Sequence, residues 1–304
     1  MKCKCGREAI YYRKFDGHAY CEKCFPKFIE KTVRRTIYKQ KLVEHKDHIV
    51  VALSGGKDSM TLLYILNKIF KNSKVKLSAL TINEGISGYS EKAIVKAKEL
   101  TEKLGIHLKI VSIKDEYGKT IDEISNSEQR ENTCTFCGIF KRYLLNKKAR
   151  EMGGTKLATG HNLDDEAQSI LINFFRGDYN RFVRLGYISG VSSDPKFVPR
   201  IKPLRDLLEK EVKLYADVMK ISYLKDRCPH AKNKIIRKQL KDFLDNFELE
   251  HPGTKFQIVR FHGKIKEKLH EHQKEKFKYC KICGEPTTQE ICKSCELKKR
   301  FKEI

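Results

Sequence analysis

Eleven cysteines are arranged in a pattern that points to metal or sulfur chemistry. Cys3, Cys5, Cys21 and Cys24 lie near one end, Cys280, Cys283, Cys292 and Cys295 near the other, and Cys134, Cys137 and Cys228 remain. The stretch "CKICGEPTTQEICKSC" (280–295) is one CxxC followed closely by a second, the ligand spacing of a tetrahedral zinc ribbon or knuckle. The other quartet pairs "CKC" (3–5) with "CEKC" (21–24). Its first two thiols are one residue apart rather than two, so His18 is an alternative ligand if Cys3 or Cys5 cannot reach. Zinc is the expected occupant of both, because short segments without an apolar core need a staple. The two modules serve RNA contact, structural closure or both.

The stretch "CTFCGIFKR" (134–142) places Cys134, Cys137 and Lys141 at i, i+3 and i+7, one face of a helix. A helix start favours thiolate. Cys228, in "RCPH", completes a trio. Three chemistries fit it. Three thiolates suit an iron–sulfur cluster with one iron left open. A persulfide relay would have Cys134 or Cys228 accept sulfur and a partner cysteine resolve it as a disulfide. A zinc ion would need another ligand, such as His230. Lys141 is either a solvated helix lysine or a contact to phosphate or to a developing anion.

Two further stretches suit nucleotide binding. "SGGKDS" (54–59) falls between a strand-like and a helix-like run. Its glycines let backbone approach a ligand, and the N–H groups of the helix start face an anion. It is not a Walker A loop, since G-x-x-x-x-G-K-[ST] is absent. "ATGHNLDDEAQS" (158–169) has the same setting, with Gly160 for close approach and Asp164 and Asp165 at the positive helix end. Each aspartate alone reads as a helix cap. Together with SGGKDS they suggest carboxylates that hold Mg²⁺ or act as a base, with Asp165 the functional member. SGGKDS resembles the PP-loop of the ATP pyrophosphatases, and that resemblance implies an ATP site at Ala52, Leu53, Ser54, Gly55, Gly56, Lys57, Asp58, Ser59, Ile82, Lys141, Gly160 and Asp165.

Alternating patterns must position these groups. Strands are expected at 48–53, 75–82, 106–113, 156–160 and 197–204. Helices are expected at 58–70, 90–105 with Ser90 as N-cap, 137–153 and 163–175, and from near Asp206. This alternation predicts an α/β fold, a doubly wound parallel sheet whose ligands bind beyond the strands' carboxyl ends. Four parts are expected: a zinc module (1–27), the α/β domain (28–230), a helical and basic linker region (231–277) and a second zinc module (278–304). Lys and Arg exceed Asp and Glu by 63 to 39 over 304 residues, a net charge of +24, which favours a nucleic-acid partner. No apolar run approaches a membrane span and no secretion signal is evident, so a cytoplasmic setting with reduced or metal-bound cysteines is expected.

SGGKDS resembles the PP-loop of the N-type ATP pyrophosphatases. The full order of motifs, from the first quartet through SGGKDS, CTFCGIFKR, GHNLDDEAQ and RCP to the last quartet, is similar to the tRNA 2-thiouridine synthetases of the TtuA type and the archaeal and eukaryotic wobble-uridine thiolases. The resemblance implies a PP-loop domain of HUP-like fold, two Zn²⁺ modules, and a [4Fe-4S] cluster on Cys134, Cys137 and Cys228, with Lys57 and Asp58 at the pyrophosphate end of ATP. It implies catalytic roles for Cys134, Cys228, Lys141 and Asp165. It also implies adenylation of the 2-oxygen of a tRNA uridine, followed by sulfur transfer from the cluster. By the same resemblance the sulfur comes from a ubiquitin-like carrier or free sulfide, and the protein is a homodimer. The CxC pair departs from the group's usual CxxC. The competing readings are a 2-thiocytidine-type PP-loop enzyme using a persulfide relay, and a non-catalytic zinc-containing RNA-binding protein.

Overall fold

The structure is a computed structural model that describes residues 1–126, 133–189, 194–233, 235–269 and 278–302. The apolar run HIVVA forms strand β3 (His48–Ala52) at the middle of a six-stranded sheet of order β5-β4-β3-β6-β8-β7. Its neighbours are β4 (Lys76–Asn83), β5 (His107–Ser112), β6 (Lys156–Ala158), β7 (Ile188–Ser189) and β8 (Arg200–Ile201). All pairings are parallel except β7 with β8. The mostly parallel α/β sheet therefore agrees with the alternation in the sequence, and the antiparallel edge strand is an addition to it.

The period of two in β3 sends side chains to two cores. Ile49 and Val51 pack with helices α1 (Cys24–Lys39), α2 (Lys57–Phe70), α3 (Ser90–Leu104) and α9 (Glu209–Val218), through Ile29, Val33, Met60, Leu63, Ala97 and Tyr215. Val50 faces the other side, where Leu80 and Leu157 meet Phe136, Phe140 and Leu144 of α6 (Thr133–Glu151). Short helices α4 (Ile113–Tyr117) and α5 (Ile121–Asn126) line the same side. Helix α7 (Leu163–Phe175) begins after β6 and leads into α8 (Tyr179–Val183). The stretch expected as a linker contains α10 (Ile235–Glu250) and α11 (Thr254–Leu269). Phe256 and Val259 of α11 pack with Leu163, Ala167 and Ile170 of α7.

Both cysteine modules dock on this body. The first is a hairpin of β1 (Tyr11–Arg13) and β2 (His18–Tyr20), anchored by Arg13 Nε donating to the fully buried Glu211 at 2.8 Å. The second contains a small hairpin of β9 (Lys278–Tyr279) and β10 (Pro286–Thr287), then α12 (Lys293–Lys302). Leu297 is buried with Phe140 and Leu144 of α6, Tyr117 Oη bonds Ser294 Oγ at 2.7 Å, and Arg150 of α6 pairs with Glu285.

Two local expectations are corrected. The strand expected over 197–204 shrinks to Arg200–Ile201, because Pro199 and Pro203 supply no ladder N–H. Ser90 is not an N-cap acceptor for its helix: its Oγ accepts from Ile86 N at 3.0 Å and bonds Glu84 Oε2 at 3.3 Å. No described helix is long and apolar enough to cross a membrane.

Beneath the site, Glu166 bonds Lys202 Nζ at 2.5 Å and Arg205 Nε at 2.9 Å, with all three side chains buried. Burial raises the Glu166 carboxyl, but the two cations hold it below the usual range. This stabilisation is present above the ordinary glutamate pKa and is lost as pH falls through the depressed value. Glu166→Ala strands two buried cations and should cost about 3–5 kcal/mol in urea unfolding at neutral pH. The difference from the parent chain should shrink in acid.

Candidate active site

The first corner begins where β3 ends. Ala52 and the buried Leu53 lead into Gly55, whose φ is +75°. A Cβ there would stand 2.7 Å from Ala93 O of α3, so only glycine fits. Helix α2 starts on Gly56, which supplies no side-chain cap, leaving its first N–H groups open to an anion. Ser54 Oγ and Ser59 Oγ lie 3.0 Å apart. Lys57 Nζ donates to Asp58 Oδ2 at 2.8 Å and Glu209 Oε1 at 2.9 Å. Burial pulls this ammonium's pKa down, and the two carboxylates raise it above the usual lysine range.

The second corner abuts the first. A Cβ on Gly160 would stand 2.8 Å from Ser59 N and 2.9 Å from Asp58 C. Asn162 Nδ2 donates to Asp58 Oδ1 at 3.2 Å. Asn162 and Asp165 form the capping box of α7, so Asp165 does cap the helix. The two adjacent aspartates nevertheless differ. Asp164 is buried, accepting from Lys255 Nζ at 2.5 Å and from Glu209 N at 2.7 Å. The Asp165 side chain stays one-third exposed, with Arg237 Nη1 3.8 Å away. Burial raises the carboxyls of both Asp58 and Asp165, and Asp165 raises Asp58 further.

Cys134 lies in the first turn of α6 and donates through Sγ to His230 O at 3.2 Å. That contact brings in the loop carrying Cys228. Cys137 and Cys228 are partly buried against the same core, and Cys134 and Cys228 are both close enough to act electrostatically on Cys137. Burial pushes the Cys137 thiol up to about 11, with Lys141 opposing. The three sulfurs distant in sequence therefore share one neighbourhood. His230 is not free to complete a zinc site: Nε2 bonds Asp122 Oδ1 at 2.6 Å and Nδ1 bonds Ser125 Oγ at 3.3 Å.

Lys141 is not a solvated lysine. Its Nζ lies 2.5 Å from Glu84 Oε1, just past Ile82 on β4. Burial lowers its pKa, but Glu84 and Cys137 raise it further. Tyr89, one residue before α3, feels Glu84, Lys141, Cys228 and Cys137 together. Sequence reasoning missed Glu84, Tyr89 and Glu209. Only Glu84 left a signal, as a carboxylate just beyond a parallel strand's carboxyl end.

In each terminal quartet all four sulfurs lie within 4.8 Å of one another. Tetrahedral Zn–S bonds of about 2.3 Å require sulfurs about 3.8 Å apart, so both quartets suit one zinc ion. The Cys5–Cys21 contact is 3.5 Å and the CxC set closes without His18. Cys292 N and Cys295 N point at Cys280 Sγ and Cys292 Sγ, as the amides of a thiolate site do. Among the described residues the groups that close to that spacing are the two terminal quartets.

Gly160→Ala should push the two corners apart while leaving both cores intact. Calorimetric titration should find ATP binding weakened by about a hundredfold or less, in line with a displacement of up to 1 Å, with thermal stability nearly kept.

Residues 28–246 match the PP-loop domain model. The chain is 37% identical to the tRNA 2-thiolation protein NcsA of Haloferax volcanii, covering 98% of each chain. It is 39% identical to the tRNA-5-methyluridine(54) 2-sulfurtransferase of Pyrococcus horikoshii, covering 100% of this chain and 96% of the other. Among solved structures it is similar to the U34-tRNA thiolase NcsA from Methanococcus maripaludis with its [4Fe-4S] cluster, with TM-score 0.85, 38% identity, and coverage of 99% and 96%. With both corners, the central cysteines and the terminal quartets all present, the chain belongs to the PP-loop family, in its tRNA-thiolating branch.

Proposed function

We propose that the protein is an ATP-dependent tRNA-uridine 2-sulfurtransferase. The observation that carries this reading is the position of α3. Its residue Ala93 lies under Gly55 of the PP-loop, while Tyr89 sits among Lys141, Cys137 and Cys228. Nucleotide and sulfur chemistry thus share one helix turn.

The chain's own residues would act as follows. Ser54, Ser59 and the N–H groups of α2 receive the pyrophosphate end of ATP, with Lys57 balancing its charge. Asp58 and Asp165 would hold a Mg²⁺ ion, a reading supported by the short path between their two corners. The uridine 2-oxygen attacks the α-phosphorus and pyrophosphate leaves, which turns a poor leaving oxygen into AMP. Lys141 exchanges Glu84 for the oxygen on which charge develops. Cys134, Cys137 and Cys228 would hold a [4Fe-4S] cluster, which would supply a site where sulfur is kept for transfer. The terminal quartets hold one Zn²⁺ each. Free sulfide or a thiocarboxylated carrier is the sulfur source, and a cytoplasmic homodimer is the working assembly.

The deciding experiment is an anaerobic reaction with ATP, sulfide and unmodified tRNA, followed by nucleoside mapping. A 2-thiouridine product is expected, and 2-thiocytidine or no thiolation overturns the reading. Anaerobically purified protein should be brown, with about four irons and two zincs per chain. Cys134→Ala or Cys228→Ala should abolish thiolation while leaving ATP binding intact. A colourless, iron-free, fully active protein would replace the cluster with a persulfide relay.

A further inference from the structure

Four large apolar side chains stand in solvent on the face made by the end of α7, by α8 and by α11: Phe174 and Phe175 at 67% exposure, Phe261 at 65% and Tyr179 at 42%. Scattered singly they would need no account, but here they belong to one built surface. The Phe174 ring lies 6.1 Å from Phe175 and 6.5 Å from Phe182 of α8. Phe182 in turn meets the buried His262 of α11 edge-on at 4.7 Å, and His262 Nε2 donates to Phe182 O at 2.8 Å. Two more bonds hold α8 and the turn after it to α11: Tyr179 Oη donates to Leu269 O at 3.1 Å, and Lys266 Nζ to Leu185 O at 2.8 Å. Phe261 is the neighbour of His262 in α11, so the exposed rings of three helices sit in one fixed frame.

The same face is strongly basic. Residues 174–184 and 257–268 hold seven Lys or Arg against two acids, Asp178 and Glu267. Arg181 Nε answers Asp178 at 3.3 Å, and Arg176, Arg260 and Lys264 are exposed next to the rings, the first beside Phe175 and the other two on either side of Phe261. The exposed large apolar side chains of these two segments are all aromatic. Open rings among cations are what unpaired nucleotides need: bases stack on the rings and phosphates meet the charge. A second copy of the chain fits worse, because a two-fold contact would set this basic face against its twin. The reach from the nucleotide corner also fits. Helix α7 carries Asp165 in its first turn and Phe174 nine residues on, about 14 Å along the axis at about 1.5 Å per residue. That is the length of about four stacked nucleotides.

We propose that the α7–α8–α11 face is a stacking platform for unpaired nucleotides of the tRNA, a few positions from the uridine held in the site. The platform rests on the sulfurtransferase reading for the identity of its RNA, but its test does not need sulfur transfer. Binding of an unmodified tRNA transcript to full-length, metal-loaded protein is measured by fluorescence anisotropy between about 50 and 200 mM salt, and the oligomeric state by sedimentation velocity.

The variant Phe174→Leu/Phe175→Leu/Phe261→Leu keeps apolar bulk and removes the rings. It should weaken tRNA binding about tenfold or more, each lost stack being worth about fivefold or more, with the slope of log affinity against log salt unchanged. Phe174→Tyr/Phe175→Tyr/Phe261→Tyr should bind as the parent does. Arg260→Gln/Lys264→Gln should lower the salt slope by about 1.4, two contacts at about 0.7 each. A fully paired RNA duplex should bind the parent and the leucine variant alike. Leucine variants that keep the parent's tRNA affinity would overturn the platform even in an enzyme that thiolates normally. Leucine variants that lose self-association while keeping tRNA affinity would overturn it too, and assign the face to a second copy. A parent chain that needs these rings to bind tRNA but forms no 2-thiouridine would sink the reaction and leave the platform standing.

Discussion

The contact between Gly160 and the backbone of Asp58 and Ser59 sets the scale of the whole site. Two strand-to-helix corners from adjacent strands β3 and β6 meet with no room for a methyl group between them. Asn162 can then bond Asp58 across the gap, and Asp165 adds to the burial that raises the Asp58 carboxyl. Gly55 performs the matching task on the other side, where it lets Ala93 of α3 come under the loop. The site is thus a junction of three helix starts, α2, α3 and α7, with the first turn of α6 opposite.

Charges hold this junction to the outer helices. From Asp58 a run of alternating partners passes through Lys57, Glu209, Lys241, Asp245 and Lys255 to Asp164, and Asp164 closes back on the backbone N–H of Glu209. The ring explains how α10 and α11 are held to α7 and the SGGKDS corner although their sequence is strongly polar. Helix α11 adds apolar contact through Phe256 and Val259, but its orientation on α7 is fixed by Lys255.

Much of the site was legible because its signals are local. The run LDDEAQSILINFF reads as a helix over 163–175 and is one over Leu163–Phe175, with its N-terminal cap residues within the same motif. SGGKDS falls between strand and helix as its composition demands. The cysteine quartets were visible as spacings, and CxC proved as capable of closing a four-sulfur set as CxxC. What was not legible depends on long-range pairing. Glu209 lies 152 residues from Lys57 and has no motif of its own. His230 offered itself as a ligand from its place after Cys228, yet its ring is consumed by Asp122 and Ser125 on α5. Ser90 looked like a cap, but Glu84 and the Ile86 amide compete for its hydroxyl. The β8 strand was overestimated because apolar content was counted without weighing its two prolines.

The docking of α12 and Glu285 on α6 has a temporal consequence. The helix that presents Cys134 and Cys137 is met further along by Leu297 and Glu285, and Ser294 bonds the neighbouring Tyr117; the ribosome adds these residues well over a hundred positions later. A nascent chain can close the β3–β6 corners early, yet its central thiols stay on an uncovered helix until translation has passed the second quartet. The packing around the helix that carries Cys134 and Cys137 is therefore complete only once the last quartet has been synthesised.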